Sequence, residues 1–226
     1  MELGALTTAH LADGCLRAGL PLRCASLQAV VPDRRLLGRV RPARHAGSVD
    51  IFLEALEQAE PGDVLVVDNR GRLDEACVGD LVVLEAQAAG LAGVMVWGLH
   101  RDTAEIRAIG LPVFSLGASP AGPQRLDPRL PDALKFAVVG EWTVTGADLV
   151  AADDDGVLFL PAERAGEIIA QAEAIRDTER RQAAQISNGT SLRRQVRFGA
   201  YLARREHEPS LTFREHLRDV GGAIEV

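Results

Sequence analysis

Two short groups of residues in this 226-residue chain have the types and spacing to do chemistry together: Gly79-Asp80-Leu81-Val82 and Arg101-Asp102. A Gly-Asp pair opening a helix leaves backbone amides without intrahelical acceptors, and such amides suit an anion such as a carboxylate. Arg101 follows a strongly apolar run and offers a planar fork that can hold a carboxylate or a carbonyl oxygen. Asp102 beside it is a hard oxygen ligand of the kind Mg²⁺ or Mn²⁺ prefers. Plainer readings exist for each group. An Arg-Asp dipeptide can be a surface ion pair or a loop cap, and Asp80 is also what a helix dipole favours in a first turn.

Other candidates are weaker. His100 could act as a general base or carry a phosphoryl group, or simply be a structural loop histidine. Asp153-Asp154-Asp155 before Gly156 reads either as a cation cluster or as an acidic turn between strands. The arginines at 193, 194, 197, 204 and 205 could meet RNA or an acidic partner, or form a solvated or intersubunit face. The chain has one lysine, Lys135. Schiff-base chemistry would have to use it, away from both groups above, which disfavours covalent amine catalysis. No G-x-x-x-x-G-K-[ST] or G-x-G-x-x-G element occurs, which removes the support for nucleotide binding.

The elements that must position these residues follow from periodicity. Residues 6–20 read as an amphipathic helix with Thr7 or Thr8 as N-cap, residues 26–31 and 36–40 as strands, and residues 51–59 as a helix capped by Ser48. The continuously apolar run 64–67 predicts a strand covered on both faces, delivering Asp68 at its end. A loop over 69–78 leads to a helix over 81–89 closed by Gly90. Then come a strand at 94–97, a short helix at 103–109 and a strand at 112–115, an alternation that predicts an α/β core with at least three parallel or mixed strands. Close-set strands at 136–139, 142–144, 149–151 and 157–160 predict hairpins, and a long charged helix follows over 162–186. Helical pieces at 191–205 and at 212–219, the latter ending at Gly221-Gly222, form an arginine-rich arm. The expected organisation is a catalytic domain over 1–187 and an arm over 188–226 that packs on the core or on a neighbouring subunit.

The strings Pro61-Gly62-Asp63-Val64-Leu65-Val66-Val67-Asp68, Gly79-Asp80-Leu81, Gly93 to Asp102 and Gly110-Leu111-Pro112-Val113-Phe114 together resemble the signature of the RraA-like 4-hydroxy-4-methyl-2-oxoglutarate aldolases. The resemblance covers roughly residues 5 to 175. It implies an α/β sandwich with a swivelling β/β/α-type core and a C-terminal helical arm, assembled as a homotrimer or dimer of trimers with sites between subunits. It further implies that the amides of Gly79, Asp80, Leu81 and Val82, with Arg101, bind the pyruvyl end of a small 2-oxo acid. Asp102 would anchor a divalent cation, Mg²⁺ or Mn²⁺, largely through water, and Arg101 and Asp80 would be catalytic. The implied activity is a class II, metal-dependent lyase that releases pyruvate from 4-hydroxy-4-methyl-2-oxoglutarate, or from oxaloacetate by decarboxylation. Members that bind and restrain ribonuclease E make a non-catalytic regulatory protein the alternative. Two residues depart from the family pattern: Trp97-Gly98 stands where Asp-Gly is usual, and His100 precedes Arg101. The acid that a neighbouring subunit supplies in the family has no assignable counterpart in the arm.

Composition agrees with a metabolic or protein-binding role. The formal charge of −7 argues against wholesale affinity for nucleic acid or anionic membranes. Three cysteines without C-x-x-C spacing indicate neither a disulfide framework nor structural zinc. Without a membrane-spanning run or a secretory leader, a soluble, cytoplasmic protein is expected.

Overall fold

A computed structural model describes residues 3–220. The described residues divide into two compact units, 3–9 with 22–166, and 10–21 with 167–220.

The first unit is built on one mixed nine-stranded sheet. Helix α1 (Thr8–Arg17) begins in this unit, and the strands β1 (Arg23–Ala25), β2 (Gln28–Ala29) and β3 (Leu36–Arg44) follow it. Then come α2 (Asp50–Glu57), β4 (Val64–Asp68), β5 (Ala76–Val78), α3 (Asp80–Ala88), β6 (Gly93–His100), α4 (Thr103–Ile109) and β7 (Val113–Ala118). Two hairpins complete it, β8 (Phe136–Val139) with β9 (Trp142–Thr145), and β10 (Asp148–Asp153) with β11 (Gly156–Pro161). Strands β3, β4, β6 and β7 are parallel neighbours, β5 adds to β6, and β2, β10, β11 and β1 pair antiparallel around them.

All of β4 is buried, because alternate residues serve different layers. Leu65 and Val67 meet Phe52, Ala55, Val83, Ala86 and Ile106 of α2, α3 and α4. Val64 and Val66 meet Ala137, Val139 and Val144 of the β8–β9 hairpin, together with Val150 and Phe159. Helices, central sheet and outer strands thus stack in the β/β/α order that the family resemblance implies.

Several elements differ from the sequence reading, each for a local reason. Strand β3 runs on to Arg44 through Pro42, which a central strand would not tolerate. It pairs with β10 over Leu36–Arg39 and with β4 over Val40–Arg44, so Pro42 has a ladder neighbour on one side only. Ser48 caps nothing: α2 starts at Asp50 behind Val49 with no side-chain cap. The predicted strand at 26–31 shortens to Gln28–Ala29, and the 69–78 loop contains β5.

The second unit holds the rest of α1, the long helix α5 (Ala165–Ser187), and α6 (Leu192–Gln195), α7 (Phe198–His207) and α8 (Phe213–Val220). The piece read as one helix over 191–205 breaks at Arg197, whose φ of +49° is not helical. Phe198, Tyr201, Phe213 and His216 pack as one aromatic cluster among α7 and α8. Gly221-Gly222 lies outside the described residues. Among the described residues no helix is long and apolar enough to cross a membrane.

Candidate active site

The two groups singled out by type and spacing meet. Strand β5 pairs with the end of β6, and the Arg101 amide donates to the Val78 carbonyl at 2.9 Å, which brings Gly79 beside Arg101-Asp102. Gly79 is extended (φ −130°, ψ −172°) and precedes α3 with no side-chain cap. A Cβ there would lie 2.4 Å from Asp102 Oδ2 and 3.3 Å from Arg101 Cγ and Nε, so only glycine lets the strand end, guanidinium and carboxylate close up.

Asp102 sits at the N-cap of α4 in the left-handed conformation (φ 58°, ψ 43°) and makes no side-chain cap bond. Its carbonyl accepts the Ile106 amide at 2.9 Å, so the backbone starts the helix while the carboxylate turns to Arg101 Nε, 3.4 Å away. An aspartate at an N-cap ordinarily spends its carboxylate on helix amides. This one keeps it for the cleft.

That cleft encloses about 320 Å³ and is lined by His45, Cys77, Gly79, Asp80, Arg101 and Asp102 among others, including Leu81 and Val82. A second cavity of about 400 Å³ shares Arg101 and Asp102 with Thr103 and Ser119. Of the four amides expected to bind a carboxylate, that of Leu81 already donates to Asp80 Oδ1 at 2.8 Å. Those of Gly79, Asp80 and Val82 lack intrahelical acceptors by position. With the half-exposed Arg101 guanidinium they give this end of the cleft a positive polarity, which suits an anion.

Among the described residues no group of three or more His, Cys, Asp or Glu converges to hold a metal ion. A cation in this cleft would rest on Asp102 and complete its shell with water and ligand oxygens, which is how Mg²⁺ is commonly held. The partly exposed carboxylate, held by Arg101 Nε at 3.4 Å and by no cap bond, fits that role. Lys135 is exposed and does not line the cleft, so no lysine is placed for a Schiff base. Cys77 does line it, but burial pushes its thiol up to about 12, leaving it protonated rather than nucleophilic.

His100 is buried with both ring nitrogens engaged, Nδ1 with Ser115 Oγ at 2.7 Å and Nε2 with Thr103 Oγ1 at 2.9 Å. It ties β6 to β7 and to the first turn of α4, which is the structural role. Burial also holds its imidazole below the usual histidine range. Trp97 does not line the cleft; it packs in the outer-strand layer, next to Gly71 and Gly140. Asp153 takes the amide and hydroxyl of Thr8 at 2.8 and 2.6 Å and the Asp155 amide at 3.1 Å, so the triple aspartate is an acidic turn that caps α1.

A second set of polar residues, which sequence reasoning missed, stands behind the cleft. His45 follows β3, and its ring stacks on Phe52 with centroids 5.2 Å apart. Its Nδ1 lies 2.9 Å from Asn69 Oδ1. Buried Glu75 accepts from Arg125 Nε and Nη2 at 3.1 and 2.9 Å, and Arg125 Nη2 also donates to Asn69 Oδ1 at 2.9 Å. Burial pushes the His45 imidazole below its usual range, against the opposite pull of the Asn69 bond. The segment carrying Arg125 is anchored by Ala76 N to Ala121 O at 2.7 Å and Asp127 N to Ala46 O at 2.8 Å. It runs so close to Gly47 (φ +104°) that a Cβ there would meet the Arg125 carbonyl at 2.1 Å. The signal available in the sequence was topological: His45, Asn69 and Arg101 all follow the carboxyl ends of parallel strands, where open α/β sheets place ligands.

Comparison with known proteins identifies the family. The family model RraA-like (Aldolase/RraA) matches residues 8–159. Protein DlpA of Legionella pneumophila is 31% identical over 137 residues, 61% of this chain and 22% of that protein, so the chain spans about a fifth of that relative. A 4-hydroxy-4-methyl-2-oxoglutarate aldolase of Thermus thermophilus is 34% identical over 132 residues, 58% of this chain and 79% of that enzyme. Among solved structures, Streptomyces coelicolor RraAS2, described as an unusual member of the RNase ES inhibitor RraA protein family, superposes with a TM-score of 0.67 at 28% identity. That superposition covers 82% of this chain and 93% of the other.

Proposed function

The chain belongs to the RraA-like family, and on that premise we propose that it is a divalent-metal-dependent lyase releasing pyruvate from a small 2-oxo acid. The observation that carries the reading is the convergence, in one cleft, of free helix amides, the Arg101 guanidinium and an Asp102 carboxylate withheld from capping. The 2-oxo acid's carboxylate is held by the amides of Gly79, Asp80 and Val82 and by Arg101, which fixes the scissile bond within the cleft. Asp102 is the residue that would hold Mg²⁺ or Mn²⁺, whose chemistry when bound is to polarise the 2-oxo group and favour the enolate. Arg101 faces the oxygen on which negative charge develops and stabilises it. Asp80, fixed by its bond to Leu81 N, presents a second carboxylate for proton traffic through water. Substrates of the 4-hydroxy-4-methyl-2-oxoglutarate and oxaloacetate types share the pyruvyl end this arrangement takes. Assembly as a homotrimer or dimer of trimers would give three or six times the 24.2 kDa of one chain.

The test is pyruvate release from each of these two substrates, with Mg²⁺, with chelator, and in Arg101→Ala and Asp102→Ala variants. Release that requires both the metal and the two side chains is the expected result. The likeness to RraAS2 favours one second reading, a regulator of a nuclease. Stoichiometric capture of an RNase E-type enzyme by folded protein devoid of lyase activity would replace the first reading with the second.

A further inference from the structure

His45 presents a fixed lone pair to the cleft. Arg125 Nη2 carries two hydrogens, and Glu75 Oε1 and Asn69 Oδ1, each 2.9 Å away, take both. None remains for His45 Nδ1 at 3.4 Å. Because Arg125 donates to it, the Asn69 atom is the amide oxygen, which can only accept. Nδ1 must therefore carry the hydrogen and donate it at 2.9 Å, which leaves Nε2 unprotonated. Among the described residues Nε2 has no hydrogen-bond partner, although the side chain is only 2% exposed. Nor is Nε2 one of the sealed, partnerless atoms, and His45 lines two cavities: the cleft it shares with Arg101 and Asp102, and one of about 10 Å³ beside Arg44 and Asp68 that is too small for an organic ligand. A buried nitrogen with an unused lone pair asks for a donor, and such a donor would come from the ligand.

Resting on the lyase reading above, we propose that His45 Nε2 receives the proton of the substrate's 4-hydroxyl group during aldol cleavage. The O–H bond breaks and its proton moves to Nε2 while the oxygen's electrons form the new C4 carbonyl. The C3–C4 bond breaks and its pair passes to C3 as the enolate of pyruvate. C3 then takes back a proton from Nε2–H, which restores the neutral ring. For 4-hydroxy-4-methyl-2-oxoglutarate both products are pyruvate, and the balance needs no further reactant. The imidazolium formed in passing is steadied by Asn69 and by Glu75 Oε1, 3.9 Å from Nδ1. Oxaloacetate decarboxylation removes no hydroxyl proton, and its enolate takes the C3 proton from water, because the resting ring carries none on Nε2; that reaction therefore makes no use of this base.

The two reactions therefore separate the role of His45 from that of the pyruvyl site. Wild type, His45→Gln and His45→Asn are assayed on both substrates with Mg²⁺, and the affinity for oxalate, which has no hydroxyl, is measured by calorimetry. The expected result is a fall of about 100-fold or more in kcat for aldol cleavage, with decarboxylation and oxalate affinity within about twofold of wild type. Unaltered aldol cleavage would overturn the proposal, as would parallel loss of both reactions together with oxalate binding, the mark of a structural role. A wild type that decarboxylates oxaloacetate but cleaves no 4-hydroxy-2-oxo acid would overturn the hydroxyl assignment alone. A wild type inactive on both substrates would overturn the lyase reading and this one with it.

Discussion

Replacing Gly79 with alanine tests the close approach on which the cleft depends. The backbone at Gly79 is extended, a conformation alanine adopts freely, so no φ/ψ strain is introduced. Fewer conformations in the unfolded chain would even favour the variant by about 0.4–1 kcal/mol. The new methyl would stand 2.4 Å from Asp102 Oδ2, where contact requires about 3.4 Å, so the carboxylate must retreat by about 1 Å. That retreat turns a side-chain torsion away from its minimum at about 0.5–1.5 kcal/mol. The two terms nearly cancel, and urea unfolding should give a stability within about 1 kcal/mol of wild type. Catalysis should not be spared, because a misplacement of about 1 Å costs on the order of 100-fold in rate. Pyruvate release should fall by that factor and half-saturation by Mg²⁺ should rise, while the circular dichroism spectrum is unchanged. Wild-type kcat/KM in Gly79→Ala would refute the reasoning, since Asp102 would then have no need of its observed position.

Two further outcomes follow from the polar set behind the cleft. Glu75→Ala leaves the largely buried Arg125 with Asp127 as its remaining carboxylate partner and should cost about 3 kcal/mol in denaturant unfolding; a loss below about 0.5 kcal/mol would show that solvent already screens the pair. The melting temperature should fall as pH drops below about 6.5, the unfolded value of histidine, with a slope that His45→Gln reduces. Because the folded pKa of His45 is lowered, its contribution is complete above the unfolded pKa and is lost as pH falls toward the folded one, with Arg125 opposing protonation and Glu75 and Asp50 favouring it.

Much of the first unit was legible because period-2 and period-3.6 patterns are local. The continuous apolar run of β4 announced a strand buried on both faces, and Gly79 with Arg101-Asp102 stood out by residue type and interval together with the resemblance to the RraA-like aldolases. What escaped the sequence was fixed by pairing. Pro42 reads as a strand breaker until β3 is seen to change partners at that point. Ser48 reads as a cap until the backbone at Val49 and Asp50 is known. His45, Asn69, Glu75 and Arg125 come from separate segments with no common spacing, so nothing short of the fold could assemble them. The role of His100 turned on Ser115 and Thr103 closing over both nitrogens, and the approach of Ser115 is again a matter of tertiary contact.

The change of partner along β3 also sets an order of assembly. Every strand that carries the cleft lies between Leu36 and Ala118 and pairs through short crossovers, so this half can condense as the chain emerges. Its junction with the outer strands waits for Leu37 to meet Ala151, a closure over a long loop that is entropically slow. Until then Val64, Val66 and Met95 lack the covering that Val150 and Phe159 later supply. A chain in which β3 to β7 had paired before β10 arrived would have an open apolar back, the kind of surface on which association with other chains competes with folding.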